Sequence, residues 1–263
     1  TSSGERPRVS RWLVKLFASY SARYLKRRFH SVRMLRSGLP ESDPSRPVIV
    51  FLNHASWWDP LVCLQLSRIY FAGRTSFAPI DAAALERYGF FRKLGFYGIQ
   101  QRSAEGTRAF LRKSRAILSS PEAAIWLTPQ SRFADVRERP LILQRGLGAL
   151  AKMSPHAVFL PLAIEYVFWT EPRPEILVAF GAPILPEEMP DQNSSDWTAR
   201  FAAALEATQD ELAAKSCRRE LADWLVLNPG SSSIHPVFDL WCRAKARFAG
   251  RNFVREHQPE MRT

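Results

Sequence analysis

Pro47-Val-Ile-Val-Phe-Leu52 runs directly into Asn53-His54-Ala-Ser56-Trp57-Trp58-Asp59-Pro60. The first six residues are apolar and β-rich and read as a buried strand. Asn53 to Trp58 reads as a loop. Asp59-Pro60 reads as a helix start, with Asp as N-cap and Pro at the first helical position, and the helix is expected to run to about Arg68. A strand, a tight loop and a helix in that order form the opening unit of an α/β sheet. In such sheets ligands bind outside the carboxyl ends of the strands, where this loop falls.

The same alternation continues outward. Helices are expected at 81–94, 105–118, 145–153 and 196–216, and strands at 123–127, 157–168 and 175–180, the last closed by Gly181-Ala-Pro183. Alternating strands and helices argue for an α/β domain. Before it, residues 10–36 read as one basic amphipathic helix. Trp12, Leu13, Leu16, Phe17, Tyr20 and Tyr24 recur at spacings of three and four, and Arg11, Lys15, Arg23, Lys26, Arg27 and Arg28 fill much of the rest. Gly38, Pro40, Pro44 and Pro47 break that pattern. After a Ser/Gly linker at 229–233, Pro236 to Gly250 reads as a second basic amphipathic helix, with Val237, Phe238, Trp241 and Phe248 on one face. The expected organisation is a membrane-surface segment at 1–40, one domain at 41–230 and a basic tail at 231–263.

Charge follows this division. Residues 1–40 hold ten Lys/Arg against the single acid Glu5, and 231–263 hold six against three, while the 190 residues between are balanced at 21 against 21. A nucleic-acid-binding core would carry its positive stripe on the folded domain, so the pattern argues against nucleic acid. It fits basic ends lying on an anionic membrane surface. No run of about 18 apolar residues reads as a spanning helix, and no signal-peptide pattern is present. A hydrophobic content of 46% excludes global disorder. Cys63, Cys217 and Cys242 are odd in number and widely spaced, which suggests neither a disulfide framework nor a zinc site.

The loop carries the chemistry. A histidine can take a proton from a hydroxyl when its tautomer is held, and a carboxylate on the other ring nitrogen holds it and stabilises the imidazolium. Five residues of separation let Asp59 turn back onto His54. The competing reading is a loop histidine beside a carboxylate that only caps a helix.

The stretch from Asn53 to Pro60 resembles the H-x-x-x-x-D motif of the glycerolipid acyltransferases, the glycerol-3-phosphate and lysophosphatidic acid acyltransferase family. Gly98-Ile99-Gln-Gln-Arg102 resembles the family's second block, whose arginine binds acceptor phosphate. Val158-Phe-Leu-Pro161-Leu-Ala163 resembles the fourth, and Phe180-Gly181-Ala-Pro183-Ile184 resembles the Gly-x-Pro-Ile that follows it. The likeness covers roughly residues 30–215. It implies a single acyltransferase domain of α/β class, with a mixed central sheet flanked by helices. It also implies transfer of an acyl chain from acyl-CoA or acyl-carrier protein to a lipid hydroxyl, with those donors as co-substrates and no metal or other cofactor. His54 becomes the general base, Asp59 its orienting partner and Arg102 the anion anchor. A 1-acylglycerol-3-phosphate-like lysophospholipid is the first expectation for the acceptor, and the cytoplasmic face of a membrane for the location.

The third block departs from the family's F-P-E-G-T-R. The chain has Thr128-Pro129-Gln130-Ser131-Arg132-Phe133, one residue short, with Gln for Glu and Ser for Gly. Gln130, Ser131 and Arg132 are the candidate acceptor-binding residues there, and the change keeps a glycolipid or isoprenoid-type acceptor open. Glu105-Gly106-Thr107-Arg108 imitates the block but opens a helix without the preceding strand and proline. Trp57 and Trp58 are read as one ring packed under the loop and one lining an acyl groove. Two readings from other classes remain. An esterase lacks support, because the chain contains no G-x-S-x-G elbow. The other is a non-catalytic membrane-binding protein with a degenerate acyltransferase fold.

Overall fold

The first helix, α1 (Arg11–Arg28), begins where the Ser10 hydroxyl accepts from the Leu13 amide and ends on Lys26, Arg27 and Arg28, cations suited to the carbonyl end of the helix dipole. The computed structural model describes residues 7–40, 43–100 and 103–230. After α1 come β1 (Ser31–Leu35), β2 (Val48–Leu52), α2 (Asp59–Tyr70), β3 (Thr75–Asp81), α3 (Ala82–Arg87) and β4 (Phe96–Ile99). Then follow α4 (Ala104–Leu118), β5 (Ala123–Leu127), α5 (Gly146–Met153), β6 (Val158–Val167), β7 (Glu175–Phe180), α6 (Ser194–Arg218) and β8 (Trp224–Pro229). The longest helix, α6, starts on a capping box between Asn193 and Asp196.

The strands form one mixed sheet in the order β4-β3-β5-β2-β6-β7-β1-β8. Strand β2 lies between β5 and β6, parallel to both, with Ile49 opposite Ile125 and Phe159. All five of its residues are buried. Val48, Val50 and Leu52 face Leu61, Val62 and Leu66 of α2 and Leu25 of α1. Ile49 and Phe51 face Ile117 of α4, Leu150 of α5 and Phe201 of α6. Each such side chain contributes roughly 1.5–3 kcal/mol of burial. A slip of one residue would exchange the two sets between faces, so the register is firmly held. Strands β3 and β4 run the same way as β5. The carboxyl ends of these five strands therefore share one edge, while β7 returns antiparallel to β6.

The α/β class with a mixed, helix-flanked sheet is as expected. One reading of the N-terminal segment needs correction. The helix expected over 10–36 stops at Arg28, and residues 31–35 form β1 inside the sheet, parallel to β7 and antiparallel to β8. Val32, Met34 and Leu35 happen to continue a helical spacing, but in the structure Val32 and Met34 fill the core beneath α1, while Leu35 packs with Leu212 of α6 and Trp224. Helix α1 meets the core along one side, where Phe17 and Tyr24 of the aromatic spacing also pack. Ala18, Ser21 and Leu25 are its buried residues, whereas Trp12, Leu16 and Tyr20 are exposed at 71%, 53% and 56%. The helix expected over 81–94 is α3 followed by a 3-10 turn at Gly89–Leu94. Gly106 of the imitating run lies in α4, where its amide donates to the Ser103 cap. Cys63 and Cys217 are free thiols. The second basic helix at 236–250, Cys242 and Arg102 lie outside the described residues. Among the described residues no helix is long and apolar enough to cross a membrane.

Candidate active site

The loop after β2 is fastened at both ends before it presents any side chain. Asn53 is 2% exposed. Its amide donates to the Ile164 carbonyl at 2.9 Å and its carbonyl accepts from the Ile164 amide at 2.9 Å, so it adds a side-chain rung between β2 and β6. The next residue is clamped from the other flank. The His54 amide donates to Gln130 Oε1 at 2.9 Å, and the His54 carbonyl accepts from Ala134 N at 2.9 Å. The loops after β2 and β5 are thus joined at His54.

Asp59 does not act as a helix cap. It is the first residue of α2, the N-cap position is Trp58, and no side chain caps the helix. The carboxylate turns back into the loop instead and is 1% exposed. Its Oδ2 accepts from His54 Nδ1 at 2.7 Å and from Ser56 N at 3.1 Å, and its Oδ1 accepts from the Tyr166 hydroxyl at 2.6 Å. A carboxylate accepts and does not donate, so Nδ1 carries the proton and Nε2 keeps its lone pair as an acceptor. The histidine side chain keeps 20% exposure. Burial first, then the charge of Asp59, pushes the Tyr166 hydroxyl well above its ordinary range, which keeps it a donor.

The remaining expected site residues are divided. Gln130 is buried and its Oε1 is committed to the His54 backbone. Ser131 has φ +54°, a left-handed conformation that costs a non-glycine residue about 1–2 kcal/mol. The turn here is thus one suited to glycine, and the chain carries serine. Arg132 is half exposed, pairs with Glu138 and donates to the Phe133 carbonyl at 3.3 Å. Trp58 packs under the loop against Tyr24 (ring centroids 5.3 Å) and Phe29 (5.0 Å), while Trp57 is 67% exposed. Strand β4 brings Gly98 and Ile99 to the same edge of the sheet.

Two residues that sequence reasoning passed over stand beside the pair. Tyr166 sits in an apolar strand, where a tyrosine reads as core. Phe133 is 56% exposed, and its ring lies over the His54 imidazole at 4.2 Å between centroids with a 35° tilt.

Among the described residues no three His, Cys, Asp or Glu side chains are gathered as a metal-holding group. No protein-family model matches the chain, and no curated protein matches it.

Proposed function

We propose that the protein is an O-acyltransferase that moves a fatty acyl chain from acyl-CoA or acyl-carrier protein to a hydroxyl of a lipid acceptor. One observation carries this reading: a partly exposed histidine, its proton held on Nδ1 by a buried carboxylate, at the carboxyl ends of three parallel strands. In the proposed reaction His54 Nε2 takes the acceptor's hydroxyl proton as the oxygen attacks the thioester carbonyl. A carbon–oxygen bond forms, the carbon–sulfur bond breaks, and the imidazolium returns the proton to the departing thiolate. Asp59 holds the ring and stabilises its charged form. Trp57 offers an apolar wall for the acyl chain.

For the acceptor, the motif resemblance favours a lysophospholipid of the 1-acylglycerol-3-phosphate type, with Arg102 as its anion anchor. A neutral glycolipid or isoprenoid-type acceptor is favoured by a different observation. Arg132 is already paired with Glu138, and the aromatic face of Phe133 flanks the base. Incubation with labelled acyl-CoA and a panel of lysophospholipid, glycolipid and prenol acceptors, with products identified by mass, tests the proposal. An ester product that requires an acceptor is expected. Hydrolysis alone would point to an esterase, and no turnover of any thioester to a non-catalytic binding protein.

The proposed location is an anionic membrane surface, bound peripherally or monotopically. Helix α1 contains no acidic residue. It exposes Trp12, Leu16 and Tyr20, and ring contacts run from Phe90 and Phe17 through Tyr20 to Tyr24, Trp58 and Trp57. Exposed aromatic side chains among basic ones are the composition of an interfacial surface. Deleting the whole N-terminal segment would remove β1 from the sheet, so substitutions are the better probe. The variant Arg23→Glu/Lys26→Glu/Arg27→Glu is expected to bind phosphatidylglycerol-containing vesicles about tenfold to a hundredfold more weakly in co-sedimentation. Raising the salt should weaken wild-type binding, since exposed charges are screened over about 8–10 Å. Sedimentation unchanged by either treatment would remove the membrane from the proposal.

A further inference from the structure

We propose that Tyr166 is a positioning residue that sets, through Asp59, how readily His54 takes up a proton. The inference concerns the proton affinity of the pair, and only its kinetic arm rests on the acyl-transfer reading.

The three groups come from three elements. His54 lies on the loop after β2, Asp59 opens α2, and Tyr166 projects from β6. The tyrosine hydroxyl meets Asp59 Oδ1 at 2.6 Å, on the opposite oxygen from the one that holds His54 Nδ1 at 2.7 Å. Its ring is held in place against Phe29, with centroids 5.9 Å apart. The carboxylate is 1% exposed, so these partners and the Ser56 amide determine how its charge is distributed.

The sign follows from that distribution. A hydroxyl donated to Oδ1 draws negative charge toward itself and leaves less on Oδ2 for the imidazolium. Without it the carboxylate would stabilise the charged ring more strongly, and His54 would hold its proton to higher pH. One other titratable group belongs to this cluster. The Cys63 thiol, on α2, is pushed well up by burial first and by Asp59 second, so it stays neutral. The groups facing His54 from the loop after β5, Gln130 and Phe133, carry no charge, and Arg132 there is paired with Glu138.

The test uses the full chain with a labelled His54 ring followed by NMR through a pH titration. In Tyr166→Phe, which keeps the ring and its packing, the midpoint for His54 is expected to rise by about half to one pH unit. Incorporating 3-fluorotyrosine at position 166, a stronger donor of the same shape, should move it downward. In an Asp59→Asn background the phenylalanine substitution should no longer move it, because the route through the carboxylate is gone. The acidic limb of kcat/KM for acyl transfer should follow the NMR midpoint. An unmoved midpoint in a folded Tyr166→Phe protein, or an equal shift in the Asp59→Asn background, would overturn the proposal. A shifted His54 in a protein that transfers no acyl chain would support it, and would overturn the acyl-transfer reading instead.

Discussion

His54→Ala is expected to lower acyl transfer by about 10²-fold or more, the usual loss when a positioned general base is removed, while leaving the fold intact. The side chain is partly exposed, and its ring hydrogen-bonds the Asp59 carboxylate. Removing it leaves that carboxylate with the Tyr166 hydroxyl and the Ser56 amide, so the buried charge is still solvated by two donors. Asp59→Asn is expected to be comparably damaging for a different reason. The imidazole would remain, but an amide neither stabilises the imidazolium nor requires the proton to sit on Nδ1. Steady-state kinetics with each substrate varied, together with thermal unfolding, checks both variants. Near-native turnover in His54→Ala would end the mechanism proposed above, whatever the acceptor proves to be.

The second large effect is expected from a residue that does not reach the substrate. Asn53→Ala should destabilise the protein by about 3 kcal/mol, because it leaves the Ile164 amide and carbonyl without their partner in a buried strand, at roughly 1–3 kcal/mol for each unsatisfied group. For a domain of this size that corresponds to a fall in Tm of about 10 °C. Activity should fall further than the loss of folded protein explains, since the clamp also places the loop bearing His54. Asn53→Asp separates the two contributions: the carboxylate can still accept from Ile164 N but has no hydrogen to give the carbonyl. An Asn53→Ala protein that melts like wild type would show that the rung between β2 and β6 carries little weight.

The candidate site was legible where its determinants are close in the chain. His54 and Asp59 are five residues apart, and the loop brings them to 2.7 Å. The apolar run of β2 announced a strand, and the break at Asn53 located its carboxyl end. Even here one local reading misassigned a role. Asp59 before Pro60 satisfies every sequence rule for a cap, yet the carboxylate turns toward His54 and Tyr166. An N-cap preference describes a helix in isolation, and two donors arriving from a loop and a strand outweigh it. Gln130, expected to touch the acceptor, has its oxygen occupied by the His54 amide from 76 residues away, a contact the sequence did not show.

The errors in the fold have the same origin. Strand β1 follows α1 after two residues, and its apolar positions continue the helical spacing closely enough to be absorbed into it. Only the presence of β7 and β8 on either side gives that segment a ladder to join. Strand β8 was passed over before Pro229, and β3 carries Pro79, which interrupts a strand pattern.

By itself the sequence determined the α/β class, the strand–loop–helix order around His54 and the pairing of that histidine with Asp59. These depend on hydrophobic periodicity and on contacts within a few residues. The tertiary structure decided which loops meet at His54, that Asn53 fastens its loop to β6, that Phe133 lies over its ring and that Tyr166 grips the far oxygen of Asp59. Those contacts join residues separated by 76 to 111 positions. Their side chains are ordinary in composition and acquire their roles only when the sheet aligns the carboxyl ends of β2, β5 and β6 along one edge.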